Sequence, residues 1–159
     1  MIVYHGTSVK YQDRILCPAI HYALERGKNL KQAFSVAHEL LDTLLDVENR
    51  FQLQRALDDA QTTGVKNPFV STSADRKVAR QFATATGNGF IYTIEGPESE
   101  LFNFNKVRDN NGFPRHETFF WMKELGIKFE ISNPFEIIKI EQIVGIREIS
   151  QTIYEKIEP

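Results

Sequence analysis

Apolar residues in this chain recur at helical spacing up to about residue 62 and occur in β-rich runs from residue 67 onward. Between Leu30 and Leu45 they lie three and four residues apart, which places them on one face of a helix. A second helical set follows Phe51 and ends at residues 62–64. Pro18 suits a helix start, because its missing N–H would have no helical partner there. Residues 18–62 are therefore predicted to form a helical block.

The rest of the chain is predicted to be rich in strands. The apolar run 69–73 ends in three hydroxyl residues, of which Ser73 is predicted to cap a helix over 74–86. A short strand at 1–4, followed by a loop at 5–8, precedes the helical block. Further strands are predicted at 90–94, 101–104, 118–121, 128–131 and 136–149, the last interrupted near Gly145. This order indicates one α+β domain spanning residues 1–159.

Composition and charge restrict the classes of function and partner that we expect. A hydrophobic content of 42% and a charged content of 25% are those of a globular protein. The net charge of -2 provides no global basic field, so a nucleic-acid partner would need a local patch. The single Cys17 has no internal disulfide partner, which favours a reducing compartment. With no apolar run of 18 residues and no signal-peptide pattern, we expect a cytoplasmic protein without a membrane partner.

Three short motifs contain the residues best suited to chemistry. Gly-rich and Walker-type nucleotide motifs do not occur, and the four histidines lack ligand spacings, so no metal site is predicted. Tyr4-His5-Gly6-Thr7 places a ring and a hydroxyl at the end of the first strand. Ser71-Thr72-Ser73 ends an apolar strand, although alone it could be a simple helix cap. Arg115-His116-Glu117 lies between a polar loop and an apolar run.

In this order and spacing, the three motifs resemble the mono-ADP-ribosyltransferase family, which includes cholera-type toxins and poly(ADP-ribose) polymerase relatives. In that family an Arg or His on the first strand is followed by a Ser-Thr-Ser strand and later by a catalytic Glu. The resemblance covers the first ten residues and about 67–149. It implies a split antiparallel β-sandwich, with the helical block 18–62 inserted after the first strand and the NAD-binding and catalytic part in 67–149.

The resemblance also implies NAD⁺ as co-substrate and a role for each motif. His5 would bond an adenosine ribose hydroxyl, and the Gly6 backbone would pair with the nicotinamide amide, a close approach that glycine allows. Ser71 would bond the nicotinamide-side ribose or position Glu117. Glu117 would accept a hydrogen bond from the ribose 2′-hydroxyl, placing negative charge beside an oxocarbenium-like transition state. The other residues assigned to the NAD⁺ pocket are Thr7, Thr72, Ser73 and Phe82.

Two registers of the catalytic motif are open. Arginine-modifying members carry Glu-x-Glu, and reading Glu117 as the second Glu puts Arg115, a cation, where a base would activate the acceptor. This register is favoured because an apolar strand should follow the catalytic Glu directly, and it argues against an arginine acceptor. The other register puts Phe119 at the catalytic position and predicts an inactive protein. His5 resembles the polymerase branch whereas Ser-Thr-Ser resembles the toxins, so the signature is mixed.

The acceptor is expected to contact residues 106–116, where the family has its target-recognition loop. Lys106, Arg108 and Arg115 against Asp109 give this segment a local positive charge. Such a loop suits either a protein side chain or a nucleic acid, the latter through phosphate contacts and stacking. The residues assigned to acceptor recognition are Lys106, Arg108, Asn110, Phe113, Arg115 and His116.

Three functions are consistent with the resemblance. The first is transfer of ADP-ribose from NAD⁺ to a macromolecule by a bacterial or phage toxin or effector, with an antitoxin or immunity protein as a further partner. The second is an NAD⁺ glycohydrolase, which passes ADP-ribose to water. The third is a catalytically inactive binding module of the same fold.

Overall fold

The computed structural model describes residues 1–8, 14–45, 48–114, 122–145 and 149–157. Within these ranges the strands are β1 (Ile2–Thr7), β2 (Phe69–Ser73), β3 (Asn88–Glu95), β4 (Phe102–Asn103), β5 (Glu124–Lys128), β6 (Glu136–Val144) and β7 (Ile149–Glu155). The α-helices of the same ranges are α1 (Pro18–Glu25), α2 (Leu30–Leu45), α3 (Arg50–Thr62), α4 (Arg76–Ala83) and α5 (Phe104–Asn110). The predicted α+β class is confirmed.

The seven described strands form one antiparallel sheet in the order β4-β5-β2-β1-β3-β6-β7. The sheet is weakest at its centre. β1 pairs with β3 at every position from Ile2 to Thr7, whereas β1 and β2 share the single register position Tyr4↔Ser73. The sheet is therefore divided into a β4-β5-β2 half and a β1-β3-β6-β7 half that are joined at one paired position.

The predicted helical block is confirmed, and α1 and the first half of α2 cover one face of the sheet. α1 begins at Pro18, and α2 turns the small buried side chains of Ala33 and Ala37 toward the sheet core that contains Val3 and Val70. α3 packs through Leu57 into a second cluster, which it shares with α5 and the β4-β5-β2 half. Phe69 of this second cluster and Val70 of the first are neighbours on β2 and point to opposite faces, so α3 packs on the face opposite to that of α1.

α4 covers the opposite face and lies unusually close to β1 and β3. A Cβ placed on Gly6 would overlap the carbonyl oxygen of Ala79, and one on Gly89 would overlap that of Ala83. Glycine at these two strand positions lets the helix backbone rest directly on the sheet.

Several predicted boundaries differ from the observed ones. β1 continues to Thr7, so His5 and Gly6 lie inside a strand and not in a loop. The helix predicted over 74–86 is the shorter α4, and its N-cap is Asp75, whose side chain accepts a hydrogen bond from the Lys77 N–H at 2.9 Å. Ser73 instead accepts from the Asp75 N–H at 3.1 Å, one step before the cap.

The later strands are displaced from their predicted positions. The strand predicted at 128–131 is β5, which ends at Lys128 because Phe129 takes a positive φ of 66°. The strand predicted at 101–104 shortens to β4, since the Asn103 side chain caps α5. The run 136–149 contains β6 and the start of β7, with Gly145 at a φ of 69° between them. The strand predicted at 118–121 lies outside the described residues.

Candidate functional site

A cavity of about 290 Å³ opens where the two halves of the sheet separate. Most of its wall comes from β1, β2 and α4, and one residue each comes from α3 and β5. The cavity residues on which the site depends are His5, Gly6, Gln61, Ser71, Phe82 and Glu124. The structure thus brings the first two sequence motifs together, although they are more than sixty residues apart.

Glu124 is the carboxylate of this cavity. It is the first residue of β5 and is paired with Ser73 of β2, so its side chain reaches the Ser-Thr-Ser segment. The Ser71 hydroxyl donates to Glu124 Oε2 at 2.6 Å, and the Gln61 amide donates to Oε1 at 3.3 Å. Glu124 is 7% exposed. A carboxylate this buried requires such donors, because an unpaired charge there would be very costly.

The protonation of Glu124 is set by opposing influences. Burial raises its pKa above the ordinary glutamate value, since removing water penalises the charged form. The hydrogen bonds from Ser71 and Gln61 and the positive charge of Arg108 act in the other direction. A buried carboxyl with a perturbed pKa in a cavity is typical of functional sites.

His5 connects the two halves of the sheet. Its Nδ1 lies 2.7 Å from the backbone oxygen of Ser71. A carbonyl oxygen only accepts, so Nδ1 carries the hydrogen, and Nε2 is an acceptor in the neutral ring. Desolvation lowers the pKa of His5, which favours the neutral form. His5 can therefore accept a hydrogen bond from a hydroxyl in the cavity.

Gly6 also lines the cavity, but its glycine identity has a structural cause. The space where a side chain would begin is filled by the Ala79 carbonyl of α4. The close approach expected for a ligand at Gly6 is thus made by a helix. Thr7 is paired with Phe90 on β3 and is not among the residues of the cavity wall.

The other predicted pocket residues have distinct positions. The Thr72 hydroxyl donates to the Leu125 backbone oxygen at 2.6 Å, and the Ser73 hydroxyl holds the chain before α4. Both residues shape the wall of the cavity. Of the three hydroxyl groups, that of Ser71 is the one that donates a hydrogen bond to Glu124. Phe82 is 47% exposed at the cavity and presents an aromatic ring on which a planar group can stack.

The predicted acceptor-recognition residues that the structure describes, Lys106, Arg108, Asn110 and Phe113, do not form one exposed loop. Residues 104–110 are helical, and Arg108 is 2% exposed and paired with Asp58 at 2.8 Å. Phe113 is also buried, beneath the guanidinium of Arg50. The side chains of Arg108 and Phe113 therefore face the interior and not an acceptor, because both complete the packing between α5 and α3.

Lys106 and Asn110 line an open groove of about 940 Å³ beside the edge strand β4. Lys123 lines the same groove, as do the acidic Glu98 and Asp109. Among the described residues of this groove, two basic side chains are matched by two acidic ones. The groove therefore lacks the excess of positive charge that favours phosphate binding. Arg115, His116 and Glu117 lie outside the described residues.

Sequence reasoning missed Glu124, although a signal for it was present. The criterion that favoured Glu117, an apolar strand directly after the carboxylate, applies also to Glu124, although Gly126 interrupts the apolar run 125–127. Its contact with Ser71 depends on pairing between strands 53 positions apart, which no local pattern reveals.

The described residues contain no cluster of three side chains that could hold a metal ion, and none of their helices is both long and apolar enough to cross a membrane. No protein-family model matches the chain, and no curated protein has significant sequence similarity to it.

Proposed function

We propose that this chain is an ADP-ribosyltransferase, which cleaves the nicotinamide–ribose bond of NAD⁺ and transfers ADP-ribose to a macromolecular acceptor. The main support for this proposal is the hydrogen bond from Ser71 to Glu124, 2.6 Å long, inside the central cavity. It joins the Ser-Thr-Ser motif to a buried carboxylate, the combination that the family resemblance requires. We propose Glu124, and not Glu117, as the catalytic carboxylate.

The divided sheet supports the same assignment. Strands β1 and β2, which carry His5 and Ser71, meet at one register position, and the cavity lies at this division. A split antiparallel sandwich with its site between the halves would have this appearance, and the helical block enters after β1 as the resemblance implies.

The residues of the cavity fit the reactive end of NAD⁺. A volume of about 290 Å³ is near the lower limit of small-molecule pockets, which hold roughly 300–1,000 Å³. The cavity would therefore enclose the nicotinamide and its ribose, while the adenosine end extends past its mouth. His5 supplies an acceptor for a ribose hydroxyl, and the exposed ring of Phe82 supplies a stacking surface. NAD⁺ supplies the ADP-ribosyl group and nicotinamide as the leaving group.

Glu124 would act by electrostatic stabilisation. Each of its oxygens accepts one hydrogen bond from the protein and keeps capacity for another, so a ribose hydroxyl can be bound as well. The ionised carboxylate then lies beside the positive charge that develops on the sugar as nicotinamide leaves. Ser71 and Gln61 fix its orientation before the substrate arrives, so no reorganisation is needed during the reaction.

The position of Met122 indicates which chemical type of acceptor is disfavoured. With Glu124 at the catalytic position, Met122 occupies the place of the first Glu in the Glu-x-Glu of arginine-modifying members. It is 9% exposed on the cavity wall, and its thioether cannot take a proton from a guanidinium at neutral pH. An arginine acceptor is therefore disfavoured. The same observation favours a second candidate function, NAD⁺ glycohydrolase, in which water receives the ADP-ribose.

The decisive experiment compares Glu124→Gln with Glu117→Gln in purified protein. NAD⁺ labelled in its adenylate part is incubated with each protein, with and without fractionated cell extract. We expect Glu124→Gln to reduce nicotinamide release by about 10²–10³-fold, the effect typical of removing one preorganised group, and Glu117→Gln to retain activity. Label on protein or nucleic acid indicates a transferase, and free ADP-ribose alone indicates the glycohydrolase.

Other outcomes would contradict the proposal. Full activity in Glu124→Gln, with loss in Glu117→Gln, would place the catalytic carboxylate at Glu117. Retained NAD⁺ binding without turnover by the wild type would identify an inactive binding module. Growth arrest on expression that Glu124→Gln relieves would support a toxin.

A further inference from the structure

A partly buried polar network connects α3 and α5 to Glu124. Arg108 of α5 donates to Asp58 at 2.8 Å and to the Gln61 side-chain oxygen at 2.6 Å. Gln61 of α3 then donates to Glu124 Oε1. The network thus reaches the candidate catalytic carboxylate from α3 and α5, through the oxygen that Ser71 does not contact.

Arg108 determines which way the Gln61 amide points. A guanidinium has donors and no acceptor, so it must face the amide oxygen of Gln61. The NH₂ group is then turned toward Glu124, where it can only donate. Without Arg108 the amide could rotate by half a turn and present its oxygen to the carboxylate, which would be repulsive.

We propose that Gln61 is a positioning residue for Glu124, and that Arg108 acts by fixing the orientation of the Gln61 amide. The proposal rests on the proposed function, because it gives these residues a role in holding the catalytic carboxylate. Ser71 and Gln61 each hold one oxygen, so together they fix both the position and the plane of the carboxylate. Placement errors of about 1 Å can cost up to about 100-fold in rate.

The charges around Glu124 make its titration a direct probe of the network. Among the described residues, Arg108 and Asp58 lie behind Gln61, and His5 lies on the cavity side. Gln61 and Arg108 both favour the ionised carboxylate. Disturbing either residue should therefore raise the pKa of Glu124 further.

The test uses Gln61→Leu and Gln61→Glu, with Gln54→Leu as the matched control on the same helix. Leucine removes the donor to Glu124. Glutamate keeps an acceptor for Arg108 but places a second negative charge beside Glu124. The pKa of Glu124 is measured by carbon-13 NMR of labelled side chains, together with kcat and KM for NAD⁺ and the melting temperature.

We expect the pKa of Glu124 to rise in Gln61→Leu, to rise more in Gln61→Glu, and to stay at the wild-type value in Gln54→Leu. We expect kcat to fall by about 10- to 100-fold in both Gln61 variants, with KM changed less than threefold. Arg108→Lys keeps the charge but has a shorter side chain, and it lacks the Nη2 that donates to both Asp58 and Gln61. This variant should lie between Gln61→Leu and the wild type in both quantities.

A purely structural role would change the melting temperature alone. Folded Gln61 variants with the wild-type pKa of Glu124 and the wild-type kcat would overturn the proposal. If the wild type does not cleave NAD⁺, the proposed function fails, while the NMR titration still reports whether Gln61 and Arg108 control Glu124.

Discussion

The Nδ1–H of His5 on β1 donates to the Ser71 carbonyl oxygen on β2, with the two heavy atoms 2.7 Å apart. These strands share one register position, so the side chain provides a polar link across the divided centre of the sheet. The same bond fixes the neutral tautomer of the ring, with the hydrogen on Nδ1, and burial of that ring disfavours its charged form.

His5 should make stability depend on pH in the weakly acidic range. Its pKa is lowered in the folded state from an ordinary value of 6.5, so below that value the unfolded chain binds more protons than the folded one. The free energy of unfolding should therefore fall as the pH drops below 6.5, until the lowered pKa is reached. His5→Gln should lack this component, which denaturant titrations of both proteins at pH 5 to 8 would measure. If the difference in stability between the wild type and His5→Gln is the same at every pH from 5 to 8, the lowered pKa of His5 is contradicted.

Glu124 should have the opposite effect on stability. Its pKa is raised in the folded state above the ordinary glutamate value of 4.5, so folding favours the protonated form and ionisation is destabilising. Glu124→Gln, which imitates the protonated acid, should therefore be more stable than the wild type at neutral pH. The difference in stability between Glu124→Gln and the wild type should appear above pH 4.5. It should increase until the pH passes the raised pKa of Glu124 and stay constant above it. Thermal melts at pH 4, 5.5 and 7.5 would measure it.

The exposed Glu100 provides the control for that experiment. Glu100→Gln should show no comparable gain between pH 4 and 7.5. Loss of stability in Glu124→Gln at pH 7.5 would mean that Ser71, Gln61 and Arg108 outweigh the cost of burying the charge. A gain of stability with loss of activity is the trade-off expected where a site is optimised for function.

The helical block could be predicted because its signal is local. The apolar spacing of α2 and the proline at the start of α1 depend on neighbouring residues alone, and both predictions were confirmed. β2 was also predicted at its observed bounds, since an apolar run followed by three hydroxyl residues is a local pattern.

The start of β5 could not be predicted in the same way. Glu124 and Gly126 interrupt its apolar pattern, and each is explained by a residue of β2: Glu124 by the Ser71 hydroxyl, and Gly126 by the Phe69 ring, which fills the space of a side chain. Long-range partners determined these residues, so the sequence favoured Glu117 as the carboxylate. The inward position of Arg108 likewise depends on Asp58 and Gln61 of another helix.

Ser71 and Thr72 are adjacent hydroxyl residues that should respond differently to mutation. Ser71→Ala removes the donor to Glu124, so it should lower kcat by about 10- to 100-fold and also reduce stability, because a buried carboxylate loses a hydrogen bond. Thr72→Val removes the bond to the Leu125 oxygen in a buried position, so it should cost about 1–3 kcal/mol of stability. Steady-state NAD⁺ cleavage and denaturant unfolding of both variants would check this. Equal kinetic effects of the two changes would argue against a special role for Ser71.

Gly6→Ala should be strongly destabilising whether or not NAD⁺ is bound, because the new methyl group would overlap the Ala79 carbonyl. Backbone atoms cannot rotate away, so α4 must move off β1, at a cost of about 2 kcal/mol or more. The control is Gly64→Ala, whose methyl group would lie 3.6 Å from the Pro18 side chain, an ordinary contact. Denaturant midpoints of the two variants would separate the cases. A Gly6→Ala protein as stable as Gly64→Ala, but with weakened NAD⁺ binding, would instead mean that the glycine is required by the ligand.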